Sequence, residues 1–167
     1  SITNNLLIVT ESIYLESASD EIRLIDSRGT TPIGQSQLIT THSNSTQVSG
    51  NGRLMVDQNS ENPSIYRYIY MGTPVNTIGK STYTISSVMK DGSTPTFTIS
   101  DIKNMTFTAS HDGSPTSPIT ISNRWVYTYG TSAEWSQKGS TGVIPQSDGF
   151  TIKGPGQPQN YTFVGTP

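Results

Sequence analysis

The 167-residue sequence predicts an all-β fold, an antiparallel β-sandwich-like module preceded by a segment of short strands, and three observations carry that expectation. Short β-type runs recur along the chain with turn signals between them. No window of about eleven or more residues sustains a helical apolar period. Hydrophobic residues make up only 31% and charged residues only 13%, so polarity comes from Ser, Thr, Asn, Gln and Gly, which suits a hydroxyl-covered sheet surface. Eight Tyr, four Phe and two Trp, with many Ile and Val, supply a core and separate the chain from a disordered polar tail. The length has room for one ordinary domain, or for one with part of a neighbour.

Taken in order, "LLIV", "SIYLE" and "EIRLI" place strands at Leu6 to Thr10, Ile13 to Glu16 and Ile22 to Asp26, at intervals of roughly eight residues. That spacing suits the stacked short strands of a solenoid as well as tight hairpins. Further strands are expected at Gln37 to Thr41, Arg53 to Asp57, Ile65 to Met71, Thr82 to Ser86, Phe97 to Ser100, Met105 to Thr108 and Arg124 to Tyr129. "SGNG" (Ser49 to Gly52), "KDGSTP" (Lys90 to Pro95) and "HDGSPTSP" (His111 to Pro118) separate them with residues that accept positive φ or preset a turn. From "NPSIYRYIYMGTPV" onward aromatics and prolines dominate, which sets a boundary near residue 60 between a short-strand segment (1–60) and an aromatic-rich sandwich-like module (61–167). The last two strands, Phe150 to Lys153 and Tyr161 to Val164, are joined by Gly154, Pro155, Gly156 and Pro158 and are expected to pair as neighbours. Because this pattern runs to Pro167, the module is expected to be incomplete at its C-terminus, with the far edge of the final strand covered by another segment.

Several functions are disfavoured. A net charge of −2 gives no electrostatic footprint for a nucleic acid backbone, and the longest apolar run, Leu6 to Val9, falls far short of the roughly 20 residues of a membrane helix. There is no Cys, hence no disulfide, zinc–thiolate site or thiol nucleophile. The two histidines, His42 and His111, read as loop residues, no G-x-S-x-G elbow exists, and "GPG" at Gly154 to Gly156 lacks the third glycine and the helix of a dinucleotide loop. Glu134 and Asp148 are the pair from which a glycosidase would be built, but single scattered carboxylates are common in β domains. The chain therefore reads as a non-enzyme without a cofactor. Calcium is the one ion its loops suggest, through Asp91-Gly92, Asp112-Gly113 and Asp148-Gly149, although Asp-Gly is also the usual turn former and none of the three has the spaced D-x-D-x-D-G form.

Strand alternation places Trp125, Tyr127 and Tyr129 on one side and Tyr66, Tyr68 and Tyr70 on another. Exposed, such rows would stack on the apolar faces of sugars; buried, they would be core. With few other large apolar residues available, the core reading is preferred. Trp135, in the polar stretch "SAEWSQKG", reads as the exposed aromatic. Trp135, Trp125, Tyr127 and Tyr129 are the ligand-binding candidates.

The stretches "QSQLITTHSNSTQVSGNGRLMVDQNSENPSIYRYIYMGTPV" and "ISNRWVYTYGTSAEWSQKGSTGVIPQSDGFTIKGPGQPQNYTFVGTP" resemble a module of large surface proteins of Bacteroidota, particularly flavobacteria, that are exported by the type IX secretion system. The likeness covers about residues 35 to 167; where the family pattern carries a Trp and two serines, this chain has Met71, Gly72 and Thr73. The resemblance implies an extracellular, cell-surface module of an adhesin or gliding-motility adhesin. Its partners would be other segments of the same long polypeptide, the export machinery and surface polysaccharide, with no membrane insertion. The alternative is a carbohydrate-binding accessory module of a secreted polysaccharide-degrading enzyme.

Overall fold

The computed structural model describes residues 2–3, 6–9, 13–25, 37–40, 48–60, 62–92, 102–130 and 133–166. His42 and the strand expected at Phe97 to Ser100 lie outside these residues.

Seven strands open the chain: β1 (Ile2–Thr3), β2 (Leu6–Val9), β3 (Ile13–Leu15), β4 (Glu21–Ile25), β5 (Gln37–Thr40), β6 (Val48–Gly50) and β7 (Arg53–Ser60). Each of the first four pairs in parallel with the strand three further on: β1 with β4, β2 with β5, β3 with β6 and β4 with β7. A hairpin pairs sequential neighbours antiparallel, so this order belongs to stacked solenoid turns. The corner after β6 depends on glycine. Gly50 holds φ at +105°, and a Cβ there would lie 2.1 Å from the Leu15 carbonyl oxygen. Asn51 can then donate its backbone N–H to that same oxygen at 2.7 Å.

The remainder forms the sandwich: β8 (Tyr68–Met71), β9 (Thr82–Tyr83), helix α1 (Ile85–Val88), β10 (Met89–Asp91), β11 (Lys103–Asn104), β12 (Thr106–Thr108), β13 (Thr120–Ser122), β14 (Tyr127–Tyr129), β15 (Trp135–Gln137), β16 (Ile144–Pro145), β17 (Phe150–Lys153) and β18 (Gln159–Gly165). The main sheets are six-stranded, in the order β1-β4-β7-β18-β10-β11, and four-stranded, in the order β15-β14-β17-β8. Between them lies one core, with Tyr161, Phe163, Leu54 and Met89 from the first sheet and Phe150, Ile152 and Met71 from the second. Phe150 and Phe163 meet edge-to-face across it, with ring centroids 6.5 Å apart. The architecture is all-β and sandwich-like. No helix among the described residues is long and apolar enough to cross a membrane.

The structure corrects the expected final hairpin. β17 and β18 do not pair; β17 lies between β14 and β8, whereas β18 is flanked by β7 and β10. The connection between them crosses from one sheet to the other, because the apolar residues of both strands bury best face to face. Both edges of Tyr161 to Phe163 are therefore occupied, and by strands of this chain, while Val164 is paired on the β7 side. The seven register pairs from Leu54–Gly165 to Ser60–Gln159 also join the short-strand segment to the later module in one continuous sheet.

Two expected strands are shortened by local capping. Residues Thr82 to Ser86 give only β9, because Thr84 and Ser87 form a reciprocal capping box that starts α1 at Ile85. Arg124 to Tyr129 opens instead as a 3-10 turn over Asn123–Trp125, capped by the Ser122 side chain, and becomes a strand only at Tyr127.

Candidate binding face

The outer face of the four-stranded sheet is aromatic. In register, Tyr127 stands opposite Thr151 and Thr151 opposite Tyr70; Tyr129 stands opposite Trp135, and Lys153 opposite Tyr68. Opposed residues share a face, so these seven side chains form one surface across four strands. The alternate positions point inward: Thr128, Phe150, Ile152 and Met71 are buried, and Ile69 packs against the core. This corrects the core reading of the tyrosine rows. Tyr70 is 71% exposed, Tyr129 55% and Trp135 53%, and Tyr66, just before β8, is exposed as well. Ile69, Met71, Phe150 and Ile152, with Tyr161 and Phe163 from the facing sheet, are apolar enough to fill the interior without these rings. The exposure expected of Trp135 is what the structure shows.

Small and large residues alternate so as to shape a groove. Tyr68, Tyr70, Tyr127, Trp135 and Thr151 surround an open space of about 230 Å³. Thr151 is 97% buried beneath it, being 3% exposed, and its hydroxyl donates to the Trp125 carbonyl at 3.0 Å. A larger residue there would fill the groove. At one end Trp135 makes contacts with Tyr129 (centroids 5.2 Å, edge-on) and Tyr70 (6.4 Å, tilted). At the other, Trp125 meets Tyr68 edge-on at 6.1 Å and lies beside the His111 ring at 6.2 Å. Trp125 is fixed there by donating its indole N–H to the His111 carbonyl at 2.6 Å. Burial first, and then the neighbouring Tyr127 and Tyr70, raise the Tyr68 hydroxyl above its ordinary value.

All four aromatic candidates from the sequence thus fall on one surface. Tyr68, Tyr70, Thr151 and Lys153 complete it and were absent from the candidate set. Period-two alternation ties Tyr68 to Tyr70 and Thr151 to Lys153, but nothing local says that β8 and β17 lie beside β14.

The three aspartates do not converge. Asp91 is buried in the sheet, where its carboxylate accepts the Ile119 backbone N–H at 2.9 Å and the Gln159 amide at 2.8 Å. Asp112 is exposed beside His111, and Asp148 is half-buried in the turn before β17, its carbonyl accepting the Tyr83 hydroxyl. Among the described residues, no three His, Cys, Asp or Glu side chains gather as a metal site would require. Chelator is accordingly expected to leave the thermal midpoint within a few degrees. Loss of a site saturated at 100 times its Kd would remove about 2.7 kcal/mol, and a fall of that size restored by calcium would show that one of these loops binds the ion.

Comparison with protein-family models, curated proteins and solved structures finds no match.

Proposed function

We propose that this chain is a non-catalytic surface module that binds polysaccharide on the aromatic face of its four-stranded sheet. The single observation that carries the reading is the ring-lined groove itself. Five exposed or half-buried aromatic side chains of that sheet (Tyr68, Tyr70, Tyr127, Tyr129 and Trp135) leave the core and cluster on one surface. Monomeric proteins seldom leave such a patch uncovered without a use for it. Flat rings match the apolar faces of pyranose units, while phenol and indole edges meet hydroxyl groups. The resemblance to type IX secretion cargo would place the module outside the cell, carried with other segments of a long surface polypeptide after passage through the export machinery. Display in several copies, as in an adhesin or gliding-motility adhesin, would convert weak contacts into firm attachment. An accessory module tethered to a polysaccharide-degrading enzyme would use the same face.

The test is calorimetric titration of the purified chain with a panel of soluble polysaccharides. At least one polymer should bind and be recovered at its original length. Trp135→Ala and Tyr70→Ala, each with an unchanged circular dichroism spectrum, should weaken it roughly 10- to 100-fold, as removal of central aromatic anchors does. Binding that survives both substitutions, shortening of the polymer, or capture of a proline-rich peptide in place of every glycan would overturn the proposal.

A further inference from the structure

The aromatic face also carries a charge. Lys153 extends from the end of β17 so that its Nζ lies 3.7 Å from the centroid of the Trp125 ring and 5.0 Å from that of Tyr68. Two ring faces hold an ammonium by cation–π attraction, but they provide no acceptor for its three N–H donors. Among the described residues, Lys153 has neither a carboxylate partner nor a hydrogen-bond acceptor. The ion pair present among these residues is Arg23 with Asp57, in the other sheet. Lys153 is only half-buried and shares its strand face with Thr151, two residues and roughly 6.7 Å away along the strand. A sugar ring over Thr151 thus lies about one side-chain length from a fixed cation whose donors are unused.

The geometry points to an acidic polysaccharide as the ligand, bearing carboxylate or sulfate groups, with a sugar ring on Tyr70 and Trp135 and the anionic substituent on Lys153. This rests on the reading of the face as a polysaccharide site and adds the charge class of the polymer. Bulk electrostatics do not supply that preference, because the chain's net charge of −2 repels a polyanion at long range. Discrimination must come from a local cation, and a charge-assisted hydrogen bond is about twice as strong as a neutral one.

Titration would compare polygalacturonate with its carboxyl-reduced counterpart, and a sulfated galactan with its desulfated form. The wild-type chain is expected to bind one or both acidic polymers about tenfold more tightly than the neutral partner, and the two pairs tell carboxylate from sulfate recognition. Lys153→Gln should bring the acidic-to-neutral affinity ratio down to about one, and Lys153→Arg should retain the preference. Equal wild-type binding of acidic and neutral polymers, or an unchanged ratio in Lys153→Gln, overturns the inference. If Trp135→Ala abolishes binding of every polymer while Lys153→Gln changes no ratio, the groove reading survives and only the charge inference falls. If Trp135→Ala changes nothing, the groove reading itself has failed. Circular dichroism of the Gln and Arg variants keeps loss of fold apart from loss of charge.

Discussion

Asp57→Ala is expected to destabilise the protein by about 3–5 kcal/mol, a large share of the roughly 5–15 kcal/mol that keeps an ordinary domain folded. Asp57 sits on β7 opposite Thr162 of β18, and Arg23 reaches it from β4. Its carboxylate accepts the Arg23 guanidinium at 3.1 and 3.4 Å and the Thr162 hydroxyl at 2.7 Å. The two charged side chains are 4% and 0% exposed. Removing the carboxylate deletes the charge that offsets a buried guanidinium, and water cannot replace it without opening the sheet. The double variant Arg23→Met/Asp57→Leu should regain most of the loss, since a buried pair replaced by apolar residues is often neutral or better. Urea denaturation of the three proteins checks this, and a loss under 1 kcal/mol for Asp57→Ala would show that the pair contributes little.

The same carboxylate gives a pH signature of defined sign. Burial raises Asp57 above its ordinary value of 3.8, against the opposing pull of Thr162 and Arg23. The folded state then holds this proton more tightly than the unfolded one. The part of its stability that depends on this proton is present below pH 3.8 and is lost as pH rises from there through the raised value. A variant without the carboxyl should lack that component of the stability profile.

The second large effect is expected at Phe163, where truncation to Ala should cost about 3–5 kcal/mol. Phe163 is fully buried at the middle of β18, between Val56 of β7 and Met89 of β10, and it touches Phe150 of the opposite sheet. A cavity there removes contacts from both layers at once, and the flanking strands cannot collapse into it without shifting the seven-pair β7–β18 ladder. Tyr66→Ala, at a site 77% exposed, should stay within about 0.5 kcal/mol and serves as the control. Comparable denaturation midpoints for the two variants would refute this account of the core.

Legibility of the sequence depended on how local the deciding interaction is. Phe150–Lys153 was readable to the residue, because its alternation and the glycine–proline break after it are both local. The parallel pairing of β1 to β7 was readable only as a spacing, since the hydrogen bonds that distinguish a solenoid from hairpins join residues more than twenty apart. Helix α1 was missed because it is four residues long and held by Thr84 and Ser87, too short for any periodicity to register. For the tyrosines, alternation correctly put Tyr68 with Tyr70 and Tyr127 with Tyr129. It could not say which side meets water, which is decided by Ile69 and Met71 matching Phe150 and Ile152 across the interior. Lys153 gave no signal, because its two rings arrive from β8 and from the turn before β14.

The position of β18 has a consequence in time. Asp57 and Thr162, whose side chains bond in the finished sheet, are 105 residues apart in the chain. During synthesis β7 emerges long before the strand that will cover its edge, and the Asp57 carboxylate waits equally long for the Thr162 hydroxyl. Contacts of such separation are slow to form, and the ends of the intervening loop must be brought together first. Until residues 159–165 are available, β7 has a partner, β4, on one edge only. Interrupted synthesis leaves the β7 edge bare, an invitation to pair with other chains. Pairing of residues 159–165 with β7 is thus the step that joins the early strands to the rest of the six-stranded sheet.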